Sequence, residues 1–188
     1  HFDMELAELK RSLVTMGNLV EQLIDLASAS LLRPSIEARE QARRIEDQLD
    51  DLDTALEEKC HTLIALQSPM ARDMRFLITA TRITSDLEQI GDLAESIAKR
   101  AHYIARHHCI SNPPMLEELG KVASKMVSLA MEAFVTGDIE SARQVVRDED
   151  HADALTKQCY EAIQGFMVQD TSCIKEYTHL LRGVGHLE

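Results

Sequence analysis

The chain of 188 residues is long enough for one domain or two small ones, and its 20 basic and 32 acidic residues give a formal net charge of -12. That balance argues against a nucleic-acid binder that relies on a general basic field, because phosphate contacts need clustered lysines and arginines. Apolar residues make up 45% of the chain and aromatic residues 4%, with only 7 glycines and 4 prolines, a composition that argues against disorder and favours helices over β-sandwiches and barrels.

Apolar residues recur at three- and four-residue steps in three segments of the first half, the spacing of one buried stripe per helix. The stripe of the first predicted helix comprises Leu9, Leu13, Met16, Val20, Leu23, Ala27 and Leu31. That of the second comprises Ala42, Ile45, Leu49, Leu52, Leu56, Leu63 and Leu66. That of the third comprises Ala80, Ile83, Leu87, Ile90, Ala94 and Ile97.

Proline, glycine and small polar residues separate these segments. Breaks at Arg33-Pro34-Ser35 and Gln67-Ser68-Pro69 end the first two helices. We predict Pro69 in the first turn of the third helix, with Asp73 near its positive end. After a longer break at residues 109–114 the helical pattern starts again, and three more helices are predicted over 115–136, from 138 to about 168, and from 172 onward.

The two halves resemble each other. Residues 46–52 and 149–155 align as E-D-x-x-D-x-L, and Leu87-Glu88 aligns with Leu187-Glu188. A tandem duplication of a three-helix unit explains both alignments, while chance similarity between acidic amphipathic helices is the alternative. We therefore predict an all-α protein of two tandem three-helix bundles, over residues 1–110 and 111–188.

The two ends of the chain suggest trimming. Glu188 aligns with Glu88, after which the first repeat continues helically, so we expect the second bundle to be truncated or otherwise incomplete at its C-terminus. His1 stands where an initiator methionine would, which suggests a tag remnant or a trimmed start. The N-terminal residues lack the order of a signal peptide, and no run approaches the roughly 20 apolar residues that a membrane span needs.

The four cysteines show no metal-finger or redox-pair spacing. We expect them to be reduced, packed side chains of a cytoplasmic protein: Cys60, Cys109, Cys159 and Cys173.

Acidic residues form stripes on the second and third predicted helices. At about 100° per residue, the stripe of the second helix comprises Glu46, Asp50, Asp53 and Glu57, and that of the third, nearly opposite its apolar face, comprises Glu88, Asp92 and Glu95. Two such stripes on adjacent helices would bring hard oxygen ligands together, as Mg²⁺, Ca²⁺, Mn²⁺ or iron require. The E-x-x-x-D spacing recurs at Glu149 and Asp153, which supports a metal site as strongly as the alternative, a solvated acidic face.

The remaining motifs do not indicate a functional site. Glu58 with His61 and Glu176 with His179 have the E-x-x-H spacing of di-iron bundles, but on the helical wheel the first pair points away from the core, so we interpret both as coincidence. His107 and His108 fall at a predicted helix end, where imidazoles commonly cap carbonyls. No phosphate-binding loop, nucleophile elbow or zinc-protease motif is present, and nothing pairs a nucleophile with a base, so we do not expect an enzyme.

Two segments resemble the PhoU family of proteins. Residues 67–75, Q-S-P-M-A-R-D-M-R, resemble the family's Q-x-P-x-A-x-D-L-R segment, and residues 85–98, S-D-L-E-Q-I-G-D-L-A-E-S-I-A, resemble its D-L-E-R-I-G-D-x-A-x-x-I-A signature. Met74 stands in place of leucine and Gln89 in place of arginine. The resemblance covers essentially the whole chain, including the two-repeat layout.

The resemblance implies a pair of three-helix bundles with multinuclear metal sites at the E-x-x-x-D motifs. On this chain these fall at Glu46/Asp50, Glu88/Asp92 and Glu149/Asp153, with Asp53 and Glu95 as auxiliaries. A fourth motif survives only as Glu188, since the chain stops before a partner for it. The expected cofactors are divalent or ferric ions: iron, zinc, manganese or magnesium.

The resemblance also implies a role. It suggests a cytoplasmic negative regulator of phosphate uptake that couples the ATP-binding subunit of the phosphate ABC transporter to a phosphate-sensing histidine kinase, acts as a homodimer, and meets the membrane only indirectly. An acidic helical scaffold without a catalytic constellation suits such an adaptor. The alternatives are a non-signalling metal-binding or storage bundle and a structural accessory module of another transporter.

Overall fold

A computed structural model describes residues 2–107 and 110–188, and it confirms the all-α prediction. The six α-helices are α1 (Phe2–Leu32), α2 (Glu37–Gln67), α3 (Ala71–Ala105), α4 (Leu116–Thr136), α5 (Ile139–Gln169) and α6 (Ile174–Leu187), with a 3-10 turn at Thr171–Cys173 before α6. No strand occurs within the described ranges.

The helices form two tandem bundles that lie side by side. Helices α1, α2 and α3 pack together in the first bundle, and α4, α5 and α6 in the second. The bundles meet where α1 packs on α4 and α3 packs on α6. Helix α2 touches only α1 and α3, and α5 touches only α4, α6 and the 3-10 turn, among the residues that the structure describes. The boundary predicted after residue 110 lies in the connection between α3 and α4.

The core follows the predicted apolar stripes. All seven stripe residues of α1 are buried, and so are four each in α2 and α3. Ile45, Leu52, Ile83 and Ile90 are half-buried at the edge of the core. Leu66 is 75% exposed, so the prediction is wrong there: it lies in the last turn of α2, after which the chain turns away at Ser68 in a left-handed conformation (φ 45°).

The predicted breaks fall between helices. Pro69 lies two residues before α3 rather than in its first turn, whereas Asp73 does occupy that turn. At the tight turn between α4 and α5, Gly137 has φ 78°, a conformation that glycine adopts without steric cost. The side chain of Asp138 then accepts a hydrogen bond from the Glu140 backbone N–H at 2.9 Å and caps α5.

The two bundles approach each other closely at small residues. Where α4 packs on α1, a Cβ built on Gly120 would lie 2.6 Å from the Cβ of Ser28. Near the start of α3 and the end of α4, the rings of Phe76 and Phe134 stack at a centroid distance of 4.9 Å. Both contacts join residues from different repeats, so the repeats are packed as one core.

Cys60, Cys159 and Cys173 are buried free thiols, as the sequence predicts; Cys109 lies outside the described residues. Burial raises the pKa of Cys60 and of Cys159 to about 11. In the part of the chain that the structure describes, no helix combines the length and apolar character needed to cross a membrane.

Candidate metal-binding site

The acidic stripes of α2 and α3 run along the seam between these two helices. Glu46 and Glu88 are half-buried, while Asp50 and Asp92 are exposed. The charge of Asp92 on α3 acts on Glu46 of α2, and the charge of Asp50 on α2 acts on Glu88 of α3. The fold therefore brings together the four carboxylates that the sequence predicts at this seam.

Crowding of like charges affects two of these carboxyls. Burial raises the pKa of Glu46, and the neighbouring charges of Asp50 and Asp92 raise it further. Burial likewise raises the pKa of Glu88, and Asp92 and Asp50 add to the effect. In both cases the environment disfavours the ionised form, which is the condition that a bound cation relieves.

The two predicted auxiliaries differ from each other. Burial raises the pKa of Asp53, a hydrogen bond from Thr84 opposes the rise, and the charge of Glu57 adds to it. Glu95 is only 7% exposed, and its carboxylate pairs with the ammonium of Lys99 at 2.5 Å. The wheel placed Glu95 nearly opposite the apolar face; it is buried because α3 is packed against α1, α2 and α6.

The second repeat places its acidic residues differently. Glu149 and Asp153 are exposed on α5. Positions beside them are paired with α4: Lys125 contacts Asp148 at 3.0 Å, and His151 contacts Glu118 at 2.9 Å.

Glu188 follows the end of α6 and is exposed. Burial raises the pKa of Tyr160 on α5, and the charge of Glu188 adds to that rise. Glu188 therefore lies beside α5, near a residue two turns beyond Asp153.

The donor set suits a hard cation, but the side chains are not gathered around one point. Across residues 2–107 and 110–188, no group of three or more histidine, cysteine, aspartate or glutamate side chains is arranged to hold a metal ion. The carboxylates at the α2–α3 seam are close enough to perturb one another, so binding there requires side-chain movement. The metal site stays a prediction.

Comparison with known proteins decides the family. The family model of the PhoU domain matches residues 13–101 and 116–188. The chain belongs to the PhoU family. The match is in two segments, which correspond to the two bundles described above.

PhoU relatives match this chain over its full length. The phosphate-specific transport system accessory protein PhoU homolog of Aquifex aeolicus is 30% identical over 184 residues, which covers 98% of this chain and 83% of the relative. The protein of the same name from Pseudomonas aeruginosa is 27% identical over 191 residues, covering 100% of this chain and 78% of that relative.

Solved PhoU structures share the fold. The crystal structure of PhoU from Pseudomonas aeruginosa has a TM-score of 0.91 at 27% identity, covering 100% of this chain and 90% of that one. The phosphate transport system regulatory protein PhoU from Streptococcus pneumoniae has a TM-score of 0.81 at 25% identity, covering 100% and 91%.

A basic cavity on this member of the PhoU family was not predicted from the sequence. It lies between α3 and α6, and its lining includes Arg100 and His179. His179 belongs to the second E-x-x-H pair, interpreted above as coincidence; its ring stacks on Tyr103 of α3 at 4.0 Å between centroids. The residues of α3 alone could have suggested a basic helix end, whereas the contribution of α6 depends on how the bundles pack.

Proposed function

We propose that this protein is a non-enzymatic, cytoplasmic regulator of phosphate transport, which binds the ATP-binding subunit of a phosphate ABC transporter and a phosphate-sensing histidine kinase as a negative regulator. The observation that carries the proposal is the full-length match to a named phosphate transport system regulatory protein and to named accessory proteins of that system. Membrane association would then be indirect, through the transporter.

The carboxylates at the α2–α3 seam support a role for metal ions in this regulator. We infer that Glu46, Asp50, Glu88 and Asp92 hold divalent or ferric ions, with Asp53 and Glu95 nearby. Bound there, a cation would neutralise the charges that raise the pKa of Glu46 and Glu88, and would tie α2 to α3. In the second repeat Glu149, Asp153 and Glu188 are the corresponding candidates.

A double substitution tests the metal site. Asp50→Asn with Asp92→Asn keeps the shape of both side chains and removes two charges. The parent should bind Mn²⁺ or Fe³⁺ in calorimetry and melt at a higher temperature when the ion is added, and the variant should do neither. The matched control is Asp51→Asn with Asp86→Asn, which removes two exposed charges from the same helices and should bind as the parent does. If parent and both variants respond identically to the ions, the stripes are a solvated face.

Co-purification tests the regulator separately from the metal. The tagged protein should retain the ATP-binding subunit or the kinase encoded in the same genome, and a strain without the protein should transcribe phosphate-starvation genes when phosphate is abundant. Metal binding without either effect would favour the non-signalling metal-binding bundle. Association with a different transporter would favour the structural accessory module.

A further inference from the structure

The basic cavity has a volume of about 520 Å³, within the range of small-molecule sites. It is lined by Arg39 of α2, by residues of α3 and of the two positions that follow it, and by His179 of α6. Its basic side chains are three arginines, one lysine and three histidines: Arg39, Arg100, Arg106, Lys99, His102, His107 and His179. The protein as a whole has a net charge of -12, so this cluster of basic side chains contrasts with the overall acidic charge.

Buried nitrogens of three side chains around this cavity lack hydrogen-bond partners. Arg100 Nε, His102 Nδ1 and His179 Nδ1 are buried without a hydrogen-bond partner among the described residues. Arg100 does reach His186 of α6 through Nη2, at 3.2 Å. Buried polar atoms in folded proteins are nearly always paired, so three unpaired nitrogens in side chains around one cavity are an exception. They are closed to solvent in this arrangement, so small rotations of the side chains would turn them toward an anion in the cavity.

The side chains around the cavity are held in place by packing. The ring of Tyr103 is sandwiched between the rings of His107 and His179, at centroid distances of 3.9 and 4.0 Å. His107 Nδ1 also contacts the Tyr103 carbonyl oxygen at 2.7 Å. A stack that joins α3 to α6 fixes one wall of the cavity before any ligand enters, which lowers the cost of binding.

The helix macrodipole alone does not explain this arrangement. Cations near the end of α3 are stabilised by the helix dipole, which accounts for Arg106 and His107. Arg100 lies more than a turn further in, where burial and the nearby charge of Arg182 lower its pKa. Burial and the charge of Arg100 also lower the pKa of His179. These groups repel one another, and an anion between them would remove that cost.

We propose that the cavity between α3 and α6 binds a small oxyanion of the phosphate class, either inorganic phosphate or a phosphate monoester, with Arg100, His102 and His179 as hydrogen-bond donors. Guanidinium and imidazole N–H groups are strong donors to phosphate oxygens. Two carboxylates act on residues of the cavity: Glu95, which pairs with Lys99, and Glu176, whose charge acts on His179 and which is itself engaged in a contact. Neither leaves the cavity acidic.

The site is distinct from the four principal carboxylates of the acidic stripes, and only the auxiliary Glu95 meets it, through its pair with Lys99. Arg39 precedes Glu46 by seven residues on α2, and Lys99 follows Asp92 by seven residues on α3. At 1.5 Å per residue, Arg39 and Lys99 lie about 10 Å along the seam from Glu46 and Asp92. The oxyanion site therefore does not depend on the regulator proposal, and Asp50→Asn with Asp92→Asn should leave it intact.

Titration calorimetry with inorganic phosphate, phenyl phosphate and acetate tests the site. The parent should bind at least one of the two phosphate ligands, and acetate much more weakly. Preference for inorganic phosphate would identify the free ion as the ligand, and preference for phenyl phosphate would identify a phosphorylated organic molecule. Arg100→Gln should weaken binding about tenfold or more, since a hydrogen bond to a charged group is lost.

The matched control is Arg82→Gln, which removes the same charge from an exposed position of α3 about 27 Å away along the helix. It should bind phosphate as the parent does. Circular dichroism shows whether each variant is folded. Absence of binding by the folded parent, or equal affinity in the parent and a folded Arg100→Gln variant, would overturn the proposal.

The pH dependence gives a second measurement that does not rely on Arg100. Burial and the charge of Arg100 lower the pKa of His179, which disfavours the protonated ring, and an anion that favours the protonated ring should therefore bind more tightly as the pH falls. Sulfate is the probe, since its own charge does not change while the ring titrates. His179→Phe keeps the ring stacked on Tyr103 and should reduce this pH dependence.

The other titratable groups around the cavity and beside His179 are common to both proteins: Arg39 of α2, Lys99, Arg100 and His102 of α3, Arg106 and His107 just after α3, and Glu176, Arg182 and His186 of α6. The difference between the parent and the His179→Phe variant therefore isolates His179. An identical pH dependence of sulfate affinity in the two proteins would exclude His179 as a donor to the anion.

Discussion

Gly120→Ala tests how tightly the two bundles are packed. The added Cβ would lie 2.6 Å from both Cβ and Oγ of Ser28, whereas non-bonded carbons prefer about 3.5–4.0 Å. The Ser28 Cβ is fixed to its backbone and cannot rotate away, so α4 must move from α1 by about 1 Å. Overpacking of this kind costs about 1–3 kcal/mol, and replacing glycine by alanine inside a helix recovers roughly 0.5–1 kcal/mol.

We therefore expect Gly120→Ala to lower the free energy of unfolding by about 1 kcal/mol, or the melting temperature by about 2–4 °C. Gly165→Ala on α5 is the control, because no atom lies within 4 Å of its added Cβ and only the helix-propensity gain remains. It should raise the melting temperature. Thermal unfolding followed by circular dichroism measures both.

A double variant separates the contact from other effects of the methyl group. Ser28→Gly removes the opposing Cβ, so Ser28→Gly with Gly120→Ala should lose less stability than the sum of the two single changes. If Gly120→Ala stabilises the protein as much as Gly165→Ala does, the close approach of α1 and α4 is refuted.

Three further predictions concern the carboxylates at the α2–α3 seam, the stacked rings of Phe76 and Phe134, and the apolar core. Because the folded pKa values of Glu46 and Glu88 are raised, their ionised forms lower the stability of the protein at pH 7. Glu46→Gln with Glu88→Gln should therefore raise the melting temperature at pH 7 in the absence of metal. This gain in melting temperature should shrink as the pH falls towards 4.5, and a gain that does not depend on pH would contradict the prediction. A double-mutant cycle on Phe76→Ala and Phe134→Ala should give a coupling of about 0.5–1.5 kcal/mol in urea unfolding, and additive effects would argue against the stack. Leu13→Ala, at a fully buried position, should lose about 2–5 kcal/mol in the same assay.

The sequence predicts the helices well because each has one strong apolar stripe. Leu9, Leu13 and Met16 follow a helical period and are fully buried, so local spacing was sufficient for α1. A stripe does not show where a helix loses its neighbours, and Leu66 is exposed for that reason. Glu95 is buried because α3 packs against three other helices. A helical wheel of α3 alone does not show those neighbours.

The acidic seam and the basic cavity differ in how far sequence could predict them. The E-x-x-x-D spacing places Glu46 with Asp50 on one helix, and the short connection from α2 to α3 makes the two stripes neighbours. The cavity needs His179, which lies more than 70 residues beyond Arg100 in the chain. Its position depends on the packing of α6 on α3, and no local pattern encodes that contact.

The position of α2 on the outside of the molecule determines how it can respond to ligands. Helices α1, α3, α4 and α6 form a central layer that holds both repeats together, while α2 is attached to that layer on one side only. Local opening of α2 therefore requires no separation of the repeats, and its amides should exchange with solvent sooner than those of α1. Any ion that bridges α2 to α3 binds only the closed arrangement and must slow that exchange. Opening of α2 would therefore change the surface that the protein offers to another protein while the central layer stays intact.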